Sequence, residues 1–337
     1  MEKGRSNPFL FWSMKVGNIE LKSRVLLAPM AGITNVAYRT FMKEFGIGLT
    51  FTEMVSDCGL IYENKETYKY LVTSPSEHPV AIQLFGGSKD TILKALKIIE
   101  LQNIDYDFID VNLGCPVPKV TKTGAGSAWL KRKDELYDMM SSLVKESKKP
   151  VTAKVRIGWD NQSINIEDIV TVLQDAGVSL ITIHPRTRNQ LYAGNANYER
   201  IKNIKSIMRI PLAISGDIFT LDDAIRAQRM TNADFIMVAR GALGNPFLIT
   251  QIDNYFKTGN KIEKATLDDQ IKYLREYANS LINLKGEYAA IHELRGIAPH
   301  FFKGFPNLKK YRLKLSTEMS TIADLNAILE EIKVNLL

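Results

Sequence analysis

Eight short and nearly unbroken apolar runs, at 25–28, 49–52, 80–84, 108–111, 151–155, 180–183, 212–214 and 235–238, constrain this chain more than any other feature. Each has the length of a strand, and continuous rather than alternating apolar character is the mark of parallel strands covered on both faces. Most of the intervals carry helical periodicity. In 91–101 the apolar positions are Ile92, Leu93, Leu96 and Ile99, and in 166–176 they include Ile169, Val172 and Leu173. Thr220-Leu221-Asp222-Asp223 has the form of a capping box that starts a further helix. Eight strand-then-helix alternations predict an α/β fold, a (β/α)8 TIM barrel. A doubly wound open sheet is the alternative, but it more often carries Gly-x-Gly-x-x-Gly after its first strand, where this chain has Ala28-Pro29-Met30-Ala31-Gly32.

Residues 1–14 read as a loose end, and 15–21 as a small hairpin around Gly17-Asn18. After Asn245-Pro246-Phe247 the apolar strands cease. A polar stretch at 258–264 serves as a linker, and the periodic segments 271–284, 289–294 and 322–336 predict a small helical bundle. The expected organisation is therefore a barrel over 1–255 and an all-helical C-terminal domain over 265–337. The 337 residues supply ample core, and the 44 lysines and arginines against 37 acids suggest a polyanionic partner, nucleic acid before any other. Cys58 and Cys115 are too few for a disulfide framework or a cysteine-rich zinc site, so they are expected as free thiols and no metal is expected. No apolar run reaches the ~18 residues of a membrane span. A cytoplasmic protein with no membrane association and no obligate protein partner is expected.

Barrels of this kind keep their working residues at the C-terminal ends of the strands. Those positions hold Pro29 and Met30, Glu53, Gln83, Asn112 with Cys115, Lys154 with Arg156, His184 with Arg186, Ser215-Gly216-Asp217, and Ala239-Arg240-Gly241. Taken singly, Lys154 reads as a solvated rim residue, His184 as a satisfied histidine and Cys115 as a small buried hydrophobe. Taken together, eight strand ends of which nearly every one finishes in a polar or special group do not converge by accident. In phosphate-binding barrels the last two loops hold the phosphate, so Ser215, Gly216, Asp217, Ala239 and Arg240 imply a phosphorylated cofactor. Gln83, Lys154 and His184 are donors that could face a flavin ring, where an ammonium stabilises negative charge.

The motifs Leu27-Ala28-Pro29-Met30-Ala31-Gly32-Ile33-Thr34, Gln83-Leu84-Phe85-Gly86, Asp110-Val111-Asn112-Leu113-Gly114-Cys115-Pro116, Lys154-Val155-Arg156-Ile157-Gly158, His184-Pro185-Arg186-Thr187, Ser215-Gly216-Asp217-Ile218 and Arg240-Gly241-Ala242-Leu243-Gly244-Asn245-Pro246 share one order and spacing with a known family. On them the chain resembles the FMN-dependent tRNA-dihydrouridine synthases, and the tail with His292-Glu293-Leu294-Arg295 resembles the bacterial members. The resemblance covers nearly the whole chain. It implies reduction of the uracil C5=C6 bond in tRNA, with NADPH reducing FMN, hydride passing from flavin N5 to C6, and Cys115 giving the proton to C5. It implies FMN contacts for Pro29, Met30, Ala31, Gln83, Lys154, His184, Ser215, Gly216, Asp217, Ala239 and Arg240. Asn112, Arg186 and Tyr192 are implied to form the uracil pocket. One position departs: the family usually has asparagine where Ser215 stands, and serine offers shorter reach and fewer donors.

The chemistry has a logic of its own. C6 is electrophilic because the C4 carbonyl conjugates with the double bond, and a thiol with a pKa near ~8.5 is protonated at neutral pH, as a proton donor must be. A base in folded tRNA has to be flipped out, so the surrounding backbone needs a grip. Between Arg295 and Lys314 lie six lysines or arginines and no acid, interleaved with Phe301, Phe302, Phe305 and Tyr311. The charges, with Lys309, Lys310 and Arg312 among them, are assigned to RNA, and the aromatics to a small core. Two other readings stand at this point. One is a free-pyrimidine flavoprotein of the dihydroorotate or dihydropyrimidine dehydrogenase kind, and the other is an RNA-binding barrel without catalysis.

Overall fold

The computed structural model describes residues 14–336; residues 1–13, which hold most of the loose end read from the sequence and the start of the expected barrel unit, and residue 337 lie outside the described residues. The chain opens with β1 (Met14–Val16), β2 (Ile19–Leu21), β3 (Val25–Leu27), α1 (Val36–Lys43), β4 (Thr50–Phe51) and β5 (Val55–Ser56). Next come α2 (Asp57–Ile61), α3 (Lys65–Lys69), β6 (Val80–Phe85), α4 (Lys89–Leu101), β7 (Phe108–Leu113), α5 (Pro118–Thr121), α6 (Lys133–Glu146) and β8 (Val151–Arg156). The barrel portion continues through α7 (Ile166–Asp175), β9 (Leu180–His184), β10 (Leu212–Ser215), α8 (Leu221–Thr231), β11 (Phe235–Val238) and α9 (Phe247–Thr258). Four helices end the chain: α10 (Leu267–Lys285), α11 (Glu287–Ile297), α12 (Lys309–Thr317) and α13 (Ile322–Leu336).

The strands run parallel in the order β3-β11-β10-β9-β8-β7-β6-β4. A parallel bridge between Leu26 and Leu49, with Leu27 N donating to Leu49 O at 3.0 Å and Gly48 N to Val25 O at 2.8 Å, joins the first strand to the last and closes the ring. Closure excludes the doubly wound sheet and leaves a TIM barrel with helices between its strands. β5 was not expected. It resumes the second apolar run beyond residues 52–54 and pairs with the upper part of β6, Val55 opposite Leu84.

The apolar runs conceal an alternation. Ile109 and Val111 of β7 face the helix layer, where they join the outer core, whereas Phe108 joins an inner cluster with Leu26, Leu49, Phe51, Ala81, Leu180, Ala213, Phe235 and Met237. Val16 and Leu21 of the β1–β2 hairpin belong to that inner cluster, so the hairpin plugs the barrel floor. Gly17 at its tip has φ +59°, and a Cβ there would lie 2.9 Å from Pro150, the residue before β8. Inward positions are thus apolar at the floor and polar higher up. The Thr220 capping box is formed as expected, its hydroxyl accepting from Asp223 N at 3.1 Å.

The C-terminal helices continue the outer core. Tyr277 of α10 meets Tyr38 edge-on at 5.4 Å and Phe41 at 5.5 Å on α1, and Tyr273 meets Phe45 at 4.9 Å. Phe301, Phe302 and Tyr311 are fully buried, so these aromatics form core as read from the sequence. Among the described residues no helix is long and apolar enough to cross a membrane.

Candidate active site

Strand register stacks the inward polar side chains in rows. Gln83, Asp110 and Thr152 are neighbours across β6, β7 and β8. Asn112, Lys154 and Thr182 form the next row across β7, β8 and β9, and Arg156 and His184 the one above. A parallel barrel places the C-terminal ends of all its strands at one mouth, which is how residues scattered over more than a hundred positions come together.

Cys115 stands just beyond β7 on a loop held from several sides. Asn112 Oδ1 accepts from Gly114 N at 3.1 Å and from Cys115 N at 2.8 Å, while Cys115 O accepts from Ser127 N at 3.1 Å. The buried Arg156 donates Nε to Gly114 O at 3.0 Å and Nη1 to Thr187 O and Leu191 O at 2.8 and 2.7 Å, so one guanidinium ties the Cys115 loop to the loop after β9. Burial pushes the Cys115 thiol up from its ordinary value, against a smaller downward pull from the Val117 N–H, Arg156 and Lys154. The thiol is therefore protonated at neutral pH. Cys58, the other thiol, lies exposed on α2.

Lys154 rises into the same space. Burial, with Arg156 beside it, lowers its ammonium to about 8, and no hydrogen bond or ion pair engages Nζ among the described residues. Beside it in register, the Thr182 hydroxyl is buried without a hydrogen-bond partner among the described residues. His184 is held well below its ordinary pKa by burial and by Lys154, Arg156, Arg186 and Arg240, so its ring is neutral. Arg186 Nη1 lies 3.2 Å from Nε2, and since a guanidinium only donates, the ring proton is on Nδ1.

Arg186 and Asp217 organise the far side of the mouth. Arg186 is 2% exposed, and its five N–H groups go to His184 Nε2, both Asp217 carboxylate oxygens at 2.9 and 2.7 Å, Ala193 O at 3.3 Å and Gly194 O at 2.6 Å. Expected in the uracil pocket, it has all five donors engaged within the protein. Burial raises the Asp217 carboxyl, but Arg186 and the Ala196 N–H outweigh it and hold the group below its ordinary range. Its carboxylate faces inward to Arg186, which leaves its backbone N–H, not its side chain, for an anion. Gly216 has φ +116° and Asp217 φ +50°, a turn of the kind that presents successive N–H groups to an anion. A Cβ on Gly216 would lie 2.7 Å from the His184 ring.

Ser215 is buried at the end of β10, and Ala239 and the exposed Arg240 follow β11. Tyr192 is 57% exposed, with the Arg240 guanidinium 5.1 Å and the Arg156 guanidinium 5.5 Å from its ring centre. Pro29, Met30 and Ala31 lie at the rim after β3, where Glu53 Oε2 accepts from Gly32 N at 2.5 Å. Lys309, Lys310 and Arg312 are not at the mouth. They lie on α12, which packs against α11, α13 and the turn Ala298–Phe302. The mouth thus brings together a protonated thiol, an unpaired ammonium, a neutral imidazole and a glycine turn, a set suited to an anionic, carbonyl-rich ligand.

The chain matches the family described as dihydrouridine synthase over residues 26–336. It belongs to the dihydrouridine synthase family. It is 35% identical to a probable tRNA-dihydrouridine synthase of Rickettsia bellii over 94% of this chain and 97% of the relative. It is 34% identical to tRNA-dihydrouridine synthase B of Pasteurella multocida over 81% of this chain and 82% of that one. Among solved structures, a histamine dehydrogenase from a Rhizobium species superposes with a TM-score of 0.53 at 14% identity over 81% of this chain and 51% of its own. An amine oxidase acting on 6-hydroxypseudooxynicotine, from Pseudomonas geniculata, gives 0.56 at 14% identity over 74% and 50%. The chain spans about half the length of these two structures, and the likeness is one of fold.

Four residues of this dihydrouridine synthase family member were not assigned roles by sequence reasoning: Asp110, Thr152, Thr182 and the clamping Arg156. The signal for them was present. Polar residues at every second position toward the end of an apolar run, as in Phe108-Ile109-Asp110-Val111-Asn112, mark the interior face of a barrel whose upper half is a site.

Proposed function

We propose that the protein is a cytoplasmic tRNA-dihydrouridine synthase, which reduces the C5=C6 bond of uridines in tRNA to 5,6-dihydrouridine with FMN as cofactor and NADPH as electron donor. The observation that carries the reading is the un-ionised Cys115 thiol on a clamped loop beside the unpaired Lys154 ammonium. The residues present fit FMN. Lys154 and the unpartnered Thr182 hydroxyl offer donors to ring carbonyls, with Gln83 and His184 beside them, and Pro29, Met30 and Ala31 border the ring. The Ser215-Gly216-Asp217 turn, with Ala239 and Arg240, offers backbone N–H groups and a guanidinium to the phosphate. Bound there, FMN supplies the hydride that adds to C6.

As negative charge develops at C5 and O4 of the base, the Cys115 Sγ–H donates its proton to C5. Lys154 and Arg156, which already pull on the thiol, stabilise the thiolate left behind until solvent reprotonates it. Asn112 uses Oδ1 for the loop and donates from Nδ2 to Gln83 and, weakly, to the Met54 sulfur at 3.8 Å, a contact that the uracil edge replaces. Tyr192 completes the pocket directly, and Arg186 does so through the loop that it holds. Residues 1–255 form the catalytic unit. Residues 265–337 grip the tRNA with Lys309, Lys310 and Arg312 so that the base can be flipped into the mouth.

The test is the absorbance spectrum of the purified protein, then anaerobic reduction by NADPH and reoxidation with unmodified tRNA, free uracil and dihydroorotate in separate cuvettes. Reoxidation by tRNA alone, with dihydrouridine in the nucleoside digest, is the expected result. Reoxidation by a free pyrimidine would replace the substrate. A protein that cannot be reconstituted with FMN would remove the reaction.

A further inference from the structure

Below the thiol, four side chains form one file of hydrogen bonds. Thr152 Oγ1 donates to Asp110 Oδ1 at 2.5 Å, Gln83 Nε2 donates to Asp110 Oδ2 at 2.6 Å, Asn112 Nδ2 donates to Gln83 Oε1 at 2.9 Å, and Cys115 N donates to Asn112 Oδ1 at 2.8 Å. The residues come from three adjacent strands, Gln83, Asp110 and Thr152 as neighbours in register and Asn112 one row above them. Asp110 is 1% exposed and Gln83 likewise. Water has no access to rearrange them.

Direction matters in such a file. A carboxylate only accepts, whereas an amide presents a donor at one end and an acceptor at the other. Facing Asp110, Gln83 must therefore point its NH2 inward and its oxygen at Asn112. Asn112 must in turn point its NH2 at Gln83 and its oxygen at the Cys115 loop. Reversing the first amide would reverse the second, and an NH2 would then face the Cys115 N–H, donor against donor.

We infer that Asp110, backed by Thr152, is a positioning residue for the proton donor: its carboxylate sets the polarity of the Gln83 and Asn112 amides and through them holds the Cys115 loop. The inference rests on the proposed reaction for its consequence in catalysis, but the geometry of the file stands apart from it. In Asp110→Asn the new amide can donate to the Thr152 oxygen and keep its own oxygen toward Gln83, so the polarity survives. In Thr152→Val the carboxylate still imposes it. Only when both are changed can the amide at 110 present either end.

The experiment is a double-mutant cycle on the holoenzyme in a Cys58→Ser background, with three readouts. These are anaerobic reduction by NADPH, single-turnover reoxidation by unmodified tRNA, and the rate at which iodoacetamide alkylates Cys115. Each single variant should reoxidise within about threefold of the parent, and the double should fall at least about tenfold below the product of the two single effects. Reduction by NADPH should stay within about twofold throughout, and Cys115 alkylation should speed up only in the double variant. Additive losses, equal slowing of both half-reactions, or unchanged Cys115 alkylation in the double variant would overturn the inference. If the double variant does not fold, Asp110→Leu replaces it: slowed reoxidation with faster alkylation supports the file, and parental values for both overturn it. A parent that NADPH reduces but tRNA does not reoxidise would remove the proposed reaction, while the alkylation readout, which needs no substrate, would still decide the file.

Discussion

Arg156 at the barrel mouth and Lys309 on α12 are held in opposite ways. Arg156 is buried and spends its donors on three backbone carbonyls in two loops, whereas Lys309 is exposed and, like Lys310 and Arg312, makes no ion pair among the described residues. The contrast extends along each region. Arg186 is buried against Asp217 at the mouth, and Arg39 against Glu77 in the helix layer, while of the six basic residues from Arg295 to Lys314 only Lys314 pairs with an acid among the described residues, Glu331, and Arg295 turns inward to Met319 O. Buried charges held by partners in fixed geometry, as Arg156 and Arg186 are, define shape at the mouth, while Lys154 beside them is left for a ligand. Exposed unpaired cations define little of their own fold and remain free for a polyanion. The difference teaches that one end of the molecule is built for placement and the other for attraction.

The sharpest break between the two regions should come from Cys115→Ala. Losing a general acid lowers a rate by about a hundredfold or more, so uridine reduction in single turnover should fall by that factor while NADPH still reduces the flavin at the parental rate. Equal product formation would sink the acid role.

That prediction was open to the sequence because the strand ends can be read without a structure. The eight runs, the capping box at Thr220 and the convergence of Cys115, Lys154 and His184 follow from run length, turn residues and the geometry common to all barrels. What stayed hidden is orientation. Arg186 looks available in a list of strand-end residues, and only the fold shows that His184, Asp217, Ala193 and Gly194 consume its five donors. The bridge at Leu26 and Leu49 that closes the ring joins residues whose pairing leaves no local pattern, and Val55–Ser56 is too short to signal a strand.

Lys154→Met should weaken FMN binding at least tenfold, as expected for a charge-assisted hydrogen bond of about 1.5–3 kcal/mol. The parental ammonium, lowered to about 8 by burial, is charged below that pH and neutral above it. Affinity of the apoprotein for FMN should therefore fall as pH rises through about 8, and the variant should lose that dependence. Fluorescence titration checks both. A flat profile in the parent would separate Lys154 from the flavin.

On the other side of the comparison, replacing Lys309, Lys310 and Arg312 together with alanine should weaken tRNA binding about tenfold at low salt and shallow the logarithmic salt slope by roughly 2. Melting temperature and flavin reduction should not change. Unaltered affinity would take α12 out of the interface. Smallest of all, Ser215→Asn should tighten FMN binding about threefold, one neutral hydrogen bond's worth, measured in the same fluorescence titration. Weaker binding would mean that the short hydroxyl suits this mouth better than the longer amide.

The seam between the barrel and the helices bears on how such proteins could be recombined. Tyr273 and Tyr277 interlock with Tyr38, Phe41 and Phe45, Glu293 accepts from Asn35 just past the rim loop, and a Cβ on Gly244 after β11 would lie 2.3 Å from the His300 backbone. Grafting residues 265–337 from a relative is therefore not an exchange of independent cassettes. A chimera would have to inherit both halves of that aromatic seam, or the new tail would have no place to sit.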